Sequence, residues 1–248
     1  MTKFNDTSYL VVIPARLKST RLNEKLLIKI GGKEVLTRTF LRCLAVVPRN
    51  KIVIATDSKK IVKLCKKINA NFLFTKNKCL TGTDRVAEVA KKIKKEYYIN
   101  VQGDEPFLDT NDLKKLIKSL NLLSKVDVIN GYSEIRNKED YINSSIPKVV
   151  FNKNNELMYM SRASIPSSKI LKFNKSYKQI CIYAFKRKAL LKFKNKKKTE
   201  LENNEDIEII RFVEKGYKVK MIKMSGKSFA IDTNRDLLKA RKYLNSKK

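Results

Sequence analysis

Val11-Val-Ile-Pro14-Ala-Arg16-Leu-Lys-Ser19-Thr20-Arg21-Leu-Asn-Glu-Lys25-Leu-Leu27 carries an apolar run, residues 9–13, into a proline and then into three cations, Arg16, Arg21 and Lys25. An unbroken apolar run of this length reads as a strand buried on both faces, as in parallel sheets. In open α/β sheets the loops at strand C-termini are where ligands bind. Three fixed positive charges in such a loop ask for a polyanion, and a nucleoside triphosphate meets the description. A lysine-rich surface loop reads the same way, so these residues alone leave both readings open.

Outward from this stretch, strand and helix patterns alternate. Residues 33–46 carry helical spacing through Val35, Leu36, Phe40, Leu41 and Leu44. A second strand is expected over 51–55, with Ser58 capping a helix over 59–68, and a third strand over 71–74. Residues 84–95 are helical, 97–101 form a fourth strand, and Thr110 or Asn111 caps a helix to about Leu123. Strands separated by helices imply βαβ units and a parallel sheet. The second half changes character. Residues 126–135, 147–151 and 157–160 suggest a meander with a turn at 152–155. A strand follows over 177–185, helices over 189–193 and 204–215, and a late strand over 217–224. Asp232-Thr233 opens a terminal helix to about Leu244. Residues 162–174 read as a mobile loop beside a site, and 192–198 as a charged linker.

Composition narrows the chemistry. A chain of 248 residues, 42% hydrophobic, can bury a large core. The formal charge of +32 would suggest nucleic acid, yet only 12 of the 56 cations are arginine. The lysines are spread through KK and KxxK runs, and no aromatic-plus-arginine cluster resembles a base-stacking surface. Solvated lysine faces are the expectation, without a specific nucleic-acid partner. No segment approaches the 18 to 20 apolar residues of a membrane span, so no membrane insertion is expected. Residues 1–8 are polar, lack a signal peptide's apolar stretch and are expected to be disordered, which makes the cytoplasm the expected location. Cys43, Cys65, Cys79 and Cys181 are scattered without a CxxC pair, which argues against structural zinc. There is no histidine, so catalysis must rest on carboxylates, lysines, arginines or a metal held by oxygen.

Three short motifs supply such groups. Gln102-Gly-Asp104-Glu-Pro106 follows a buried strand, and an aspartate there is placed to hold Mg²⁺ on phosphates, or simply to make a turn. Thr81-Gly-Thr83-Asp84-Arg85 offers backbone N–H groups at a helix start, which suit an anion, a nucleotide's polar edge or an ordinary cap. Ile231-Asp232-Thr233 places a second carboxylate, or a helix cap, after a strand-like stretch. Neither a P-loop nor a G-x-G-x-x-G fingerprint is present, so any phosphate grip falls to the cation loop.

The order of these blocks resembles the 3-deoxy-manno-octulosonate (Kdo) cytidylyltransferase family over nearly the whole chain. The resemblance rests on IPARLKSTRL (13–22), IATD (54–57), TGTDR (81–85), NVQGDEP (100–106), MSRASIP (160–166), ICIYAF (180–185), TELENNEDIEIIR (199–211) and AIDTNRDL (230–237). It implies a three-layer α/β nucleotidyltransferase fold with a mostly parallel central sheet and a smaller β-rich portion for dimerisation and sugar binding. Residues 9–248 would be one domain, its nucleotide-binding part about 9–125 with 226–248 and its sugar-binding part about 126–225. The implied reaction joins CTP and Kdo into CMP-Kdo and pyrophosphate for lipopolysaccharide synthesis, with Mg²⁺, in a homodimer. By motif position Arg16, Arg21 and Lys25 would hold the triphosphate, and Arg16, Lys25 and Asp104 would carry catalysis. Asp104 and Asp232 would ligate Mg²⁺. Pro14, Ala15 and the Thr81-Gly82-Thr83 loop would read cytosine. Arg21, Arg85, Gln102, Arg162, Gln179 and Glu208 would line the sugar-acid pocket.

The chain departs from the family pattern in several places. The usual Pro-Gly before the loop lysine is Asn23-Glu24, which sets a carboxylate beside Lys25. The histidine before the TGTDR block is Cys79. In the sugar-facing set a histidine has become Gln179, a glycine Cys181, and the glutamine after Glu208 is Ile209. Hydrogen-bonding pockets discriminate strongly between partners. These changes therefore leave an amino-substituted Kdo or another ulosonic acid open as the acceptor.

Overall fold

The apolar run lies inside a nine-stranded sheet. The computed structural model describes residues 8–246 apart from Lys18, Thr20, Asn77, Leu171 and 194–196. Strand β1 (Tyr9–Ala15) is followed by a two-stranded hairpin, β2 (Lys29–Ile30) and β3 (Lys33–Glu34), and by α1 (Val35–Leu44). Next come β4 (Ile52–Thr56), α2 (Lys59–Lys67), β5 (Phe72–Phe74), α3 (Gly82–Lys92), β6 (Tyr97–Val101) and α4 (Thr110–Lys118). The second half supplies β7 (Val128–Ile135), α5 (Lys138–Ile142), β8 (Lys148–Phe151), β9 (Leu157–Ser161) and the long β10 (Ser176–Lys186). It ends with α6 (Arg187–Phe193), α7 (Glu200–Glu205), α8 (Ile210–Glu214), β11 (Val219–Lys223) and α9 (Asn234–Asn245).

The sheet order is β11-β7-β10-β6-β1-β4-β5, and every pair in it is parallel except the two made by β10. Side chains alternate across β1. Val11, Ile13 and Ala15 join a core with α1, α2, α4 and α9, whereas Leu10 and Val12 join a second core with α3, α6 and α8. Helices on both faces of a mostly parallel sheet make the expected three layers. Strands of both halves share this one sheet.

Local differences from the sequence reading have local causes. Helix α1 starts later than expected because Lys33 and Glu34 pair with Lys29 and Ile30 across Gly31-Gly32, both at positive φ. The expected helix over 204–215 is broken by Asp206, whose φ of 50° is left-handed and ends α7. The meander is interrupted. Strand β10 lies between β7 and β8, and its later half pairs instead with β6 beyond a bulge at Ile180–Tyr183. The 152–155 turn does form, with Asn152 Oδ1 accepting from the Asn154 and Glu156 amides. Apart from Ser8, the N-terminal expectation lies outside the described residues, as does the middle of the 192–198 segment.

Candidate active site

The loops leaving β1 and β6 at their C-terminal ends meet the segment that enters α9. The Ile231 amide donates to the Asp104 carbonyl at 2.9 Å, which sets Asp232 beside Asp104. Lys25, at the start of a 3₁₀ turn over Lys25–Leu27, donates its ammonium to the Asp104 carboxylate and to Asp232 Oδ1 at 2.6 Å. Arg21 reaches the same Asp232 oxygen at 3.2 Å. Two carboxylates more than a hundred residues apart in sequence thus face the ammonium of one lysine, whose side chain is only 12% exposed. Gly103 makes this approach possible, because a Cβ there would stand 2.9 Å from the Pro14 carbonyl oxygen. Burial works against the Lys25 charge, but Asp104 and Asp232 outweigh it and raise its pKa. Burial likewise opposes the Asp232 charge, and Lys25, Arg21 and Arg16 overcome it to lower that pKa.

This cluster borders a cavity of about 370 Å³. Pro14, Arg16, Arg21 and Lys25 line one end of it with Asp104 and Asp232. Thr81 and Gly82 form a second wall at the head of α3, where Thr81 and Asp84 make a reciprocal cap. Gln102, Arg85, Arg162, Gln179 and Glu208 border the remainder. Ala15 and Thr83 do not: their side chains are buried, and Thr83 takes part through its amide, which donates to Glu208 Oε2 at 2.9 Å. The other Glu208 oxygen accepts from Gln102 Nε2 at 3.0 Å, and burial raises the Glu208 pKa.

Several expected sugar-side residues are committed within the protein. Arg85 is buried, donating to Asp57 at 2.9 Å and to the Thr75 hydroxyl. Arg162 donates to the carbonyls of Glu205, Ser144 and Asp206, tying the end of β9 to α7. Gln179 Nε2 donates to Asn130 Oδ1 at 3.1 Å, and Asn130 in turn holds the Ile180 and Ile182 carbonyls at the β10 bulge. Cys181, at that bulge, and Cys79 both border the cavity.

Ile209 takes a different place from the one its motif position suggests. It is fully buried in the core beside α8 and does not border the cavity. Ile209→Gln is therefore expected to lower stability by about 2–4 kcal/mol, the cost of burying an amide in place of a packed side chain. The acid accepted should stay the same, and thermal unfolding with a comparison of acceptors checks both. Glu24 also points away from the site. It sits at φ 47°, a conformation that suits glycine, and its carboxylate pairs with Lys60. Glu24→Gly is expected to raise stability by about 0.5–1 kcal/mol by relieving the left-handed strain. A rise in the thermal midpoint, with turnover unchanged, is the result to look for.

Glu105 was not singled out from sequence, although it stands inside the QGDEP block. Its side chain is buried against the cavity, and its Oε2 has no hydrogen-bond partner among the described residues. Burial, with Asp104 and Asp232 adding to it and Lys25 opposing, pushes its carboxyl up to about 8.

The chain has counterparts of known family and fold. A family model described as Cytidylyltransferase matches residues 10–224. The chain is 36% identical to the 3-deoxy-manno-octulosonate cytidylyltransferase of Elusimicrobium minutum, covering 96% of this chain and 98% of that one. It is 36% identical to the protein of the same name from Christiangramia forsetii, covering 94% and 96%. Among solved structures it is similar to CMP:2-keto-3-deoxy-manno-octonic acid synthetase complexed with CTP, with a TM-score of 0.90, 28% identity, and coverage of 98% of this chain and 100% of that one. With near-complete coverage in both directions and the same three layers, this chain belongs to the 3-deoxy-manno-octulosonate cytidylyltransferase family.

Proposed function

We propose that this protein transfers CMP from CTP to the anomeric hydroxyl of 3-deoxy-manno-octulosonate, releasing pyrophosphate, as a step in lipopolysaccharide synthesis. The observation that carries this reading is the Lys25–Asp104–Asp232 cluster with Arg16 and Arg21, set at one end of an open cavity whose other walls carry Thr81, Gln102 and Glu208. Arg16, Arg21 and Lys25 take the triphosphate, Lys25 exchanging its carboxylate partners for phosphate oxygens. The Pro14–Ala15 backbone and the Thr81–Thr83 loop take the cytosine edge. Gln102, Gln179 and Glu208 shape the acid's pocket, and Arg85 and Arg162 hold its walls. In the reaction the sugar hydroxyl attacks the α-phosphorus in line, its proton passing to water. The bond to the β-phosphate oxygen breaks as the new ester bond forms. Fixed cations offset the charge that develops on the phosphate oxygens and leaving group.

Asp104 and Asp232 suit Mg²⁺. They offer hard oxygen donors beside the cation loop, and Mg²⁺ is commonly held by one or two carboxylates plus substrate phosphates. With two carboxylates from the protein, substrate phosphates and water would complete the shell. When bound, Mg²⁺ would supply neutralisation of phosphate charge. We place the reaction in the cytoplasm and in a homodimer; Ile142, Met158 and Ile170, exposed in the β-rich portion, offer apolar surface to a second copy. Among the described residues no helix is long and apolar enough to cross a membrane.

A second reading keeps CTP and changes the acid, favoured by Gln179 and Cys181 in the cavity wall. Pyrophosphate release tests both. It is expected only with CTP, Mg²⁺ and a 3-deoxy-ulosonic acid together. Release with amino-substituted Kdo and not with Kdo would select the second reading, and silence with every such acid would overturn both.

A further inference from the structure

Arg211 is the largest fully buried side chain among the described residues. Its Nε and Nη2 donate to Glu202 at 2.5 and 2.6 Å, and its Nη1 and Nη2 to Asp84 at 2.9 and 3.3 Å. The guanidinium also lies 3.9 Å from the centre of the Phe193 ring. A buried cation between two buried carboxylates is weak as a source of stability, because desolvation consumes much of the attraction, whereas its geometry is highly directional. The question is what that direction fixes.

The contacts of its partners give the answer. Asp84, at the head of α3, accepts from the Thr81 amide and hydroxyl at 3.0 and 2.9 Å, so the Arg211 network reaches the cavity wall through a single carboxylate. Glu208, three residues before Arg211, is bonded to the Thr83 amide on one side and to Gln102 on the other. The Gln102 amide packs against Gly82 so closely that a Cβ there would lie 2.8 Å from its oxygen. Within the same corner Glu205 accepts from the Arg162 amide at 2.8 Å and from the Ser161 hydroxyl at 2.6 Å. The corner between α7 and α8 therefore touches the Thr81–Thr83 loop, Gln102 and Arg162, and Arg211 joins it to α3 through side chains where Glu208 does so through the Thr83 amide.

We propose that Arg211 is a positioning residue: its pairs with Asp84 and Glu202 hold the α7–α8 corner against the head of α3, and so set the affinity of the site for both substrates. This rests on the reading above, in which the Thr81–Thr83 loop takes the base and Gln102 faces the acid. Loosening the triad should shift the loop and Glu208 together, and both contribute binding.

The test compares wild type with Arg211→Lys and Glu202→Gln. Each variant is first shown to unfold cooperatively, and then assayed by calorimetric CTP binding and by pyrophosphate release. Arg211→Lys keeps the charge and loses the fork that spans two carboxylates; Glu202→Gln keeps the shape and leaves the Arg211–Asp84 pair. A rise of about tenfold in KM for CTP and for the acid is expected in Arg211→Lys, with a smaller rise in Glu202→Gln. A purely structural role would instead lower kcat with the folded fraction and leave both KM values and the CTP affinity at wild type, and that outcome overturns the proposal. If Arg211→Lys does not fold, Glu202→Gln decides alone. Failure of wild type to bind CTP would overturn the underlying reading, and this proposal with it, and is seen before any variant is compared.

Discussion

Replacing Lys25 by methionine is expected to lower kcat/KM by about 10³-fold, the scale of losing one pre-positioned charge where negative charge builds up. Lys25 is largely buried, is anchored by two carboxylates, and lies where the loop after β1 enters the cavity. Arg16 and Arg21 cannot replace it. Arg21 is 59% exposed at its side chain and approaches from the outer side, with water free to screen it. Methionine also removes the ammonium that keeps Asp104 and Asp232 compatible at short range, so thermal stability should fall as well. That part has a pH signature. The Lys25 pKa is raised in the fold above 10.5, so its contribution is complete below that value and is lost as pH rises through the folded value. The Asp232 pKa is lowered below 3.8, so its contribution is present above that value and is lost as pH falls through the folded one. The stability gap between wild type and Lys25→Met should therefore shrink below about pH 4 and above about pH 10, and widen as pH rises through about 8, where Lys25 favours the ionisation of Glu105. Pyrophosphate-release kinetics and thermal unfolding across pH check the two parts. A kcat/KM for CTP within tenfold of wild type would remove Lys25 from the phosphate site.

Much of this arrangement was legible in local sequence, and the reasons are local too. The β1 run is apolar at every position because both sheet faces are covered, and Ser58 caps α2 through its own side chain, accepting from the Ile61 amide. Cation loop and QGDEP block each follow a strand, which is enough to put them at one edge of a parallel sheet. What could not be read is what depends on distant partners. The identity of Arg85 suggests a free cation facing substrate, and only the fold reveals Asp57 beside it. The Arg211 triad joins residues 84, 202 and 211, with nothing in their spacing to announce it. Ile209 follows Glu208 in the motif, yet the backbone turns it into the core, so adjacency to a site residue misled. Asp206 ends α7 in a left-handed conformation that a non-glycine residue does not signal.

Asp232→Asn is expected to lower turnover by about 10³-fold and to raise the Mg²⁺ concentration needed for half-maximal rate. The substitution keeps size and leaves an oxygen that can still accept from Lys25, so it removes charge with little change of shape. Two explanations of a lost rate then separate. If Asp232 serves only to anchor Lys25 and Arg21, added Mg²⁺ recovers nothing, and the defect resembles that of Lys25→Met. If its carboxylate is one of the donors of a metal bound with the phosphates, higher Mg²⁺ recovers part of the rate, because binding is weakened and not abolished. Asp104→Asn should show the larger and less recoverable loss. Its side chain is less exposed, at 21% against 36%, and its backbone is clamped to Ile231, so neither water nor a shift of the loop can substitute for the lost charge. Pyrophosphate release measured across a Mg²⁺ series at fixed CTP and acid resolves these outcomes. A wild-type Mg²⁺ dependence in Asp232→Asn would take the metal away from this carboxylate, however large the fall in rate.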